Sequence, residues 1–218
     1  ANTAWIAYFE EQGFQVMKID ARAKATLKQL NALIQEACRE KIERDRKRGI
    51  LNRPVRAMVV GIPNVGKSTF INSLAGKAAA KTGNKPGVTK GKQWIRLNKQ
   101  VELLDTPGIL WPKFEDQMVG LRLALIGAIK DEILNIDELS LELIKVLTRD
   151  YAGILTDRYG VDETQTPVKI LEQIAENRKC ISKGNELDYS KAAALLIDEF
   201  RGGKLGKITL ERPQVQAE

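Results

Sequence analysis

A glycine-rich segment of this chain carries the residue types that bind phosphate groups. Residues 61–69 read Gly-Ile-Pro-Asn-Val-Gly-Lys-Ser-Thr and fill every fixed position of the pattern G-x-x-x-x-G-K-[ST]. Glycines let backbone N–H groups point at phosphate oxygens, and a helix that starts behind them adds a favourable dipole. We expect the Lys67 ammonium to bind β- and γ-phosphates and the Ser68 hydroxyl to bind Mg²⁺. The residues of this loop predicted to bind nucleotide are Asn64, Val65, Gly66, Lys67, Ser68 and Thr69.

A second motif, Asp-Thr-Pro-Gly at 105–108, follows an apolar segment at 101–104. A carboxylate at the end of a strand can hold Mg²⁺ through water, and the N–H of a following glycine can sense the γ-phosphate. We therefore predict that Asp105 is a magnesium ligand and that Gly108 binds the nucleotide. Alone the motif would be an ordinary turn, but behind a phosphate-binding loop it indicates a switch.

A third candidate is the threonine of Lys-Pro-Gly-Val-Thr at 85–89, within a polar loop at 77–91. A threonine hydroxyl in such a loop can join the ligands of Mg²⁺ when a triphosphate is bound, and this contact orders the loop. We predict this metal-binding role for Thr89, and we expect Lys67, Thr89 and Gly108 to be the catalytic residues. A plain Pro-Gly turn in an exposed loop stays open as the alternative, because a switch loop has the same composition.

The elements that position these motifs divide the chain into two parts. Apolar spacing and turn residues predict alternating helices and strands first and helices alone afterwards. We expect an α/β phosphate-binding domain of the three-layer αβα class at 1–112 and an all-helical domain at 113–218. The predicted helices are 4–12, 23–48, 68–74, 116–128, 138–149, 167–178 and 189–200, and the predicted strands are 14–19, 56–61, 93–97 and 101–104.

Composition excludes several classes of protein. The chain has 218 residues, of which 43% are hydrophobic and 29% charged, as in ordinary soluble domains. It contains no histidine, which excludes histidine catalysis and the common zinc sites from within it. Cys38 and Cys180 lie too far apart in sequence for a disulfide framework. No membrane span or secretory signal is readable, so we expect a cytoplasmic protein without membrane association.

Charge is unevenly distributed along the chain. Residues 1–112 hold 20 basic and 9 acidic side chains, whereas residues 113–218 hold 15 basic and 19 acidic ones. A basic first part suggests a polyanionic ligand, either nucleotide, RNA or both, although an unevenly charged solvated surface is the alternative. The same choice applies to the charged end of the second predicted helix, at 39–48: it is either solvated or an RNA contact.

A motif that selects guanine is missing from its usual place. GTPases ordinarily carry Asn-Lys-x-Asp after the Asp-x-x-Gly motif, and no such motif follows Gly108. In those proteins this motif leads into a helix, a strand and a short loop that contacts the base. The same succession precedes the phosphate-binding loop here, at 4–12, 14–19 and Asp20-Ala21. We therefore predict a circularly permuted order, with the guanine motif upstream of residue 1 and with Asp20 and Ala21 binding the nucleotide.

These features together resemble a known family. The Pro-Asn of the phosphate-binding loop and the Pro-Gly-x-Thr of the following loop resemble translation-factor-related GTPases. The permuted order, the segment Asp-Thr-Pro-Gly-Ile-Leu-Trp-Pro-Lys-Phe at 105–114 and the helical second part resemble the YlqF family, ribosome biogenesis GTPase A. The resemblance covers nearly the whole chain, from about residue 4 to Pro213.

The resemblance implies ligands and partners. It implies a P-loop GTPase that binds GTP, GDP and Mg²⁺, with a K⁺ ion held beside the phosphates by Asn64. It also implies an assembly factor for the large ribosomal subunit whose helical part binds rRNA, and we expect a monomer. Members carry a histidine near their amino end that is linked to hydrolysis, and this sequence has none.

The residue that orients the attacking water in Ras-like GTPases is a glutamine directly after Asp-x-x-Gly. Ile109 occupies that position here, followed by Leu110 and Trp111, and none of these side chains can orient water. We therefore expect slow intrinsic hydrolysis that a macromolecular activator raises.

Two other functions remain as alternatives at this stage. A metabolic P-loop kinase or ATPase would share the phosphate-binding loop, but it leaves the Pro-Gly-Val-Thr loop and the preceding helix and strand unexplained. An RNA-binding protein with a regulatory or vestigial nucleotide site is the other. The set Lys67, Ser68, Thr89, Asp105 and Gly108 is complete, which argues against a vestigial site.

Overall fold

The computed structural model describes residues 1–21, 23–51, 53–76, 91, 93–97, 99–110 and 113–213, with the side chains of 24–28 excepted. The chain forms two compact units. The first comprises Ala1–Leu110 with Glu211–Glu218, and the second comprises Trp111–Leu210. Each unit has an apolar core of its own.

The described part of the first unit contains a three-stranded sheet. Its strands are β1 (Val55–Val59), β2 (Gln93–Arg96) and β3 (Val101–Asp105), in the order β1-β3-β2. β1 pairs with β3 in parallel and β2 pairs with β3 antiparallel. The parallel register sets Val59 beside Asp105, so both strands end at the same edge of the sheet. This edge carries the two motifs that the sequence assigns to phosphate and metal binding.

Alternation along the strands buries one face of this sheet. Val55, Val101, Leu103 and Ile95 are buried there, and Ile71 packs against them. Ile71 belongs to helix α4 (Lys67–Ala75), and helix α2 (Lys24–Ala37) adds Ile34 at the margin of the same cluster. The helices of this unit are α1 (Asn2–Glu11), α2 (Lys24–Ala37), α3 (Arg39–Lys47) and α4 (Lys67–Ala75).

Two predictions for the first 50 residues differ from the structure. The predicted strand 14–19 is wrong, because this segment has no strand partner among the described residues and Phe14 packs on Phe9 of α1 instead. A single strand cannot satisfy its own backbone hydrogen bonds. The predicted helix 23–48 is divided into α2 and α3 at Cys38, whose backbone leaves the helical region although the Ile42 N–H still donates to its carbonyl.

The named elements of the second unit are all helices, and an isolated antiparallel β-bridge joins Ile181 to Leu187. The unit contains α5 (Gln117–Leu125), a 3-10 turn (Asp131–Ile133), α6 (Ile136–Asp150), α7 (Ile154–Tyr159), α8 (Pro167–Asn177) and α9 (Tyr189–Arg201). Side-chain caps mark where four of them begin, since each cap accepts a hydrogen bond from a backbone N–H of the first turn. These caps are Asp116, Asn135, Thr166 and Asp188. The predicted helices 116–128, 138–149, 167–178 and 189–200 correspond to α5, α6, α8 and α9.

The core of this unit comes from the leucines and isoleucines that recur at helical spacing. Leu143 and Ile144 of α6, Ile174 of α8 and Leu196 of α9 are fully buried in one cluster. None of the described helices combines the length and the apolar character that a membrane crossing requires.

Sequence patterning missed α7, which is only six residues long and lies between Gly153 and Gly160. Its first N–H groups are bound from outside the helix. The Glu163 carboxylate accepts hydrogen bonds from the N–H groups of Gly153, Leu155 and Thr156, at 2.7, 2.7 and 2.8 Å. A cap that arrives from a downstream loop leaves no signal in the helix itself.

A charged cluster inside the second unit centres on Glu199, which is only 5% exposed. Its carboxylate accepts hydrogen bonds from the Arg158 guanidinium at 2.7 and 2.9 Å and from the Tyr159 hydroxyl at 2.9 Å, and Lys204 lies 3.6 Å away. The hydrogen bond from Arg158 outweighs the effect of burial and lowers the pKa of Glu199 to about 2. The same burial raises the pKa of Tyr159.

This cluster predicts how stability depends on pH. A carboxylate with a depressed pKa stabilises the fold above its ordinary pKa of 4.5, and that contribution is lost as pH falls towards 2. We expect Glu199→Gln to lower the free energy of unfolding at neutral pH by up to about 3 kcal/mol. The variant should also lose the part of the acid sensitivity that wild type shows between pH 4.5 and 2. Amide hydrogen exchange in α6 and α9 measures the free energy of unfolding of the variant and of wild type at each pH.

Glu142→Gln is the matched control, since Glu142 pairs with Lys145 on the surface at 2.6 Å. We expect this control to change stability by less than about 0.5 kcal/mol. Equal protection of Glu199→Gln and wild type at neutral pH would contradict the role given to Glu199.

Candidate nucleotide-binding site

The phosphate-binding loop lies where the sequence predicts it, between β1 and α4. β1 ends at Val59 and α4 begins at Lys67. Asn64 and Gly66 have left-handed backbones, with φ values of 59° and 91°. Glycine adopts this conformation freely and asparagine tolerates it, so the loop can turn its N–H groups inwards before the helix starts.

The Lys67 side chain folds back over this loop. Its ammonium donates hydrogen bonds to the carbonyls of Gly61 and Ile62, at 3.0 and 2.7 Å. Burial lowers the pKa of Lys67, and the nearby Asp105 carboxylate acts in the opposite direction. The ammonium therefore already lies across the mouth of the loop, where it can exchange backbone carbonyls for phosphate oxygens.

Asp105 closes β3 and is 1% exposed. Its Oδ1 atom has no hydrogen-bond partner, the one buried side-chain oxygen in this condition among the described residues. Burial raises the pKa of Asp105, whereas Lys67 and the Thr106 backbone N–H lower it. A buried carboxylate oxygen without a partner costs free energy unless a cation or water satisfies it, so Asp105 suits the predicted role of magnesium ligand.

Thr106 ties the two strand ends together. Its hydroxyl donates a hydrogen bond of 2.7 Å to the carbonyl of Val59, the last residue of β1. The residue is buried although it is polar. Sequence reasoning did not assign a role to Thr106. The signal was present, since a hydroxyl side chain stands directly after a strand, where it can bond a neighbouring strand end.

Gly108 approaches the phosphate-binding loop very closely. A Cβ atom built on Gly108 would lie 2.6 Å from both the Cα and the N of Pro63 and 3.0 Å from the carbonyl carbon of Ile62. These are backbone atoms that cannot rotate away, so only glycine fits at this position. The structure thus brings the predicted switch motif into contact with the predicted phosphate-binding loop.

The other predicted site residues fall into three groups. Ser68 and Thr69 lie in the first turn of α4, directly behind the loop, and Val65 lies within the loop. Asp20 and Ala21 lie in the turn that leads into α2, where the Ala23 N–H donates to the Asp20 carbonyl. Their role in nucleotide binding stays a prediction. Thr89 lies outside the described residues, and its role also stays a prediction.

The tight contact at Gly108 generates a prediction. Gly108→Ala must push the switch segment and the phosphate-binding loop apart, at a cost of about 1–3 kcal/mol. We expect the affinity for a fluorescent nucleoside diphosphate to fall by about tenfold or more, since the loop itself is displaced. Val168→Ala is the control, because this exposed side chain lies on α8 of the second unit. Unchanged affinity in Gly108→Ala would show that the contact does not hold the loop.

Comparison with known proteins identifies the family. The family described as 50S ribosome-binding GTPase matches residues 56–179, which include both motifs. Ribosome biogenesis GTPase A of Bacillus cereus is 48% identical over 96% of this chain and 71% of its own length. The Priestia megaterium protein of the same name is 46% identical, over 96% of this chain and 73% of its own length.

Solved structures agree with these relatives. A GDP-bound YlqF structure superposes with a TM-score of 0.66 at 27% identity, over 97% of this chain and 76% of that one. A GNP-bound YlqF from T. maritima gives a TM-score of 0.61 at the same identity, over 97% and 75%. The predicted fold class, a P-loop GTPase domain followed by helices, is confirmed. The site geometry and these relatives lead to one assignment: the chain belongs to the YlqF-type family of ribosome biogenesis GTPase A and is a GTP hydrolase.

Proposed function

We propose that this GTPase is an assembly factor for the large ribosomal subunit, and that its nucleotide state controls binding to rRNA. The observation that carries the proposal is the contact of Gly108 with the backbone of Pro63 and Ile62. A γ-phosphate in the loop would lie close to the segment after Gly108, because the two backbones are in contact, so its presence would be sensed there. The relatives named ribosome biogenesis GTPase A and the family described as 50S ribosome-binding support the choice of partner.

The phosphates of GTP would be bound by an ammonium that now donates to the loop itself. Lys67 would exchange the carbonyls of Gly61 and Ile62 for β- and γ-phosphate oxygens. Ser68, Thr89 and Asp105 would hold Mg²⁺, which neutralises charge between these phosphates, and Asn64 would hold K⁺ beside them. The unpartnered Oδ1 of Asp105 supports the place given to the cation.

Hydrolysis would be slow in the isolated protein. Ile109 is 75% exposed directly after Gly108, and an aliphatic side chain there cannot orient a water molecule. We propose that the large ribosomal subunit supplies or positions the missing group. Guanine selection would come from a motif upstream in the permuted order, with Asp20 and Ala21 beside the base.

We propose that residues 1–112 form the GTPase domain and that residues 113–218 form a helical domain. The helical domain would contact rRNA through basic side chains that remain exposed. Arg201 is not among them, since its side chain is 18% exposed and binds the carbonyls of Ala124 and Leu125 and the Asp131 carboxylate. Lys179 and Lys207 do remain exposed and are the better candidates. We further propose that the protein acts as a cytoplasmic monomer.

A first test removes the phosphate-binding ammonium. Lys67→Ala deletes a charge-assisted contact worth about 1.5–3 kcal/mol, so we expect GTP affinity to fall by roughly 10- to 150-fold. GTP hydrolysis stimulated by purified large subunits should fall with it, while the circular dichroism spectrum stays unchanged. Lys130→Ala, an exposed lysine of the second unit, is the control. Subunits that fail to raise the hydrolysis rate of the wild-type protein would refute the proposed function.

A second test separates the two nucleotide states. Thr89→Ala should bind GDP as wild type does and lose about tenfold in affinity for a non-hydrolysable GTP analogue, since its hydroxyl would join Mg²⁺ only in the triphosphate state. Fluorescent analogues of both nucleotides measure this. Thr148→Ala, whose hydroxyl bonds the Ile144 carbonyl within α6, is the control. An equal loss for both nucleotides would exclude Thr89 from the switch.

A further inference from the structure

A basic cavity of about 460 Å³ lies in the first unit, away from the nucleotide site. Its volume falls within the roughly 300–1,000 Å³ of ligand-binding pockets. Three stretches of the chain form its wall: the end of α2 with α3, the connection from α3 to β1, and the turn between β2 and β3. The lining residues are Gln35, Lys41, Ile42, Asp45, Arg46, Ile50, Leu51, Arg53, Pro54, Val55, Arg96, Lys99 and Gln100.

The charge of this cavity is one-sided. Five of its lining residues are basic and Asp45 is its single acidic one. The basic residues are Lys41, Arg46, Arg53, Arg96 and Lys99, and all five are exposed. They come from segments that are distant in sequence, so the fold rather than one charged run brings them together. A concave surface lined by one sign of charge concentrates its field on a ligand of opposite charge.

Four of these cations form no ion pair with any residue that the structure describes. Elsewhere in this unit arginines do pair with carboxylates: Arg39 lies 3.4 Å from Glu36, and Arg56 lies 3.1 Å from Glu102. Within the described part of the chain no such pair involves the charged groups of the cavity residues Lys41, Arg46, Arg53 and Lys99. These charged groups therefore need no internal bond to be broken before they bind an anion.

The cavity and the phosphate-binding loop lie at opposite ends of β1. Val55, the first residue of this strand, lines the cavity, and the loop follows Val59, the last one. A strand of this length separates its ends by roughly 13 Å. A ligand in the cavity would thus be distinct from the nucleotide bound at the other edge of the sheet.

Apolar side chains accompany the cations. Ile42 and Val55 line the cavity, and Leu51 in its wall is 75% exposed. A small inorganic anion would use the charges alone. A nucleotide unit of RNA offers a phosphate for the cations together with a base whose face can cover an aliphatic surface.

We propose that this cavity binds the phosphate backbone of single-stranded RNA, with a base placed against Leu51. The inference rests on the proposed function only in taking RNA as the ligand. It adds an RNA-binding site on the GTPase unit itself, separate from the nucleotide and from the helical unit. It also assigns a role to the charged run at 39–48, which contributes Lys41 and Arg46 to the cavity.

The test compares two double variants of the full chain on the same helix. Lys41→Gln/Arg46→Gln removes two charges from the cavity. Arg44→Gln/Lys47→Gln removes two charges from α3 at residues that do not line it. The probe is a labelled single-stranded fragment of large-subunit rRNA, and its affinity is measured by fluorescence anisotropy over a range of salt concentrations. GDP affinity is measured in parallel as a control for folding.

We expect the cavity variant to bind RNA about tenfold more weakly and its plot of log affinity against log salt to lose about 1.4 of its slope, since each phosphate contact contributes about 0.7. The α3 control should lose less than about threefold, and both variants should bind GDP as wild type does. Equal losses in the two variants, or none in the cavity variant, would overturn the proposal.

Two competition experiments decide the ligand class. Unlabelled RNA should displace the probe, whereas inorganic phosphate and polyglutamate at the same concentration of anionic groups should not. Displacement by phosphate would reduce the cavity to a simple anion site, and displacement by polyglutamate would assign it to an acidic protein; either would overturn the proposal. Subunits that fail to stimulate GTP hydrolysis while the two variants still differ in RNA binding would refute the proposed function and leave this site standing.

Discussion

The close approach of Gly108 to the backbone of Pro63 is the constraint on which the rest of the nucleotide site depends. It exists because β1 and β3 are parallel and end together, with Val59 beside Asp105. The Thr106 hydroxyl fixes that junction through its hydrogen bond to the Val59 carbonyl. Two loops that leave one sheet edge with no space between them cannot move independently. We therefore expect a phosphate bound in one loop to be sensed by the other through this contact.

The same junction brings opposite charges together at a partly desolvated place. Burial works against the charged form of both Lys67 and Asp105, and each group partly offsets the cost of the other. The lysine ammonium donates to two backbone carbonyls, but Asp105 Oδ1 has no partner. This incomplete satisfaction is what a binding site for a phosphate–magnesium pair requires, since the ligand supplies the missing bonds. A fully satisfied cluster such as that around Glu199 instead stabilises the fold.

The parts of the fold and of the nucleotide site that could be predicted from the sequence are those that local motifs specify. The residue pattern at 61–69 and the Asp-Thr-Pro-Gly at 105–108 specify their own backbone, so sequence alone located both and the strands that carry them. The spacing of Leu143, Ile144 and Leu147 likewise predicted α6. Features that depend on distant partners were missed or wrong. α7 needs the carboxylate of Glu163, and 14–19 has no partner strand in the part of the chain that the structure describes. The distance between Gly108 and Pro63 follows from strand register, which no local pattern contains.

The role of a basic side chain likewise depends on its surroundings in the fold and not only on the charge of its own segment. Arg201 begins a segment that also holds Lys204 and Lys207, so its charge alone favours a cation exposed to solvent. Its guanidinium instead binds the carbonyls of Ala124 and Leu125 at the end of α5, where helix carbonyls lack partners within the helix. Arg46 stands in an equally basic run, yet it lines a cavity with cations from other segments. An arginine that lies near unpaired backbone carbonyls binds them and stabilises the fold. An arginine without such carbonyls nearby remains able to bind a ligand. A polyanion site is therefore located by the cations that the fold does not use, and net charge cannot locate it.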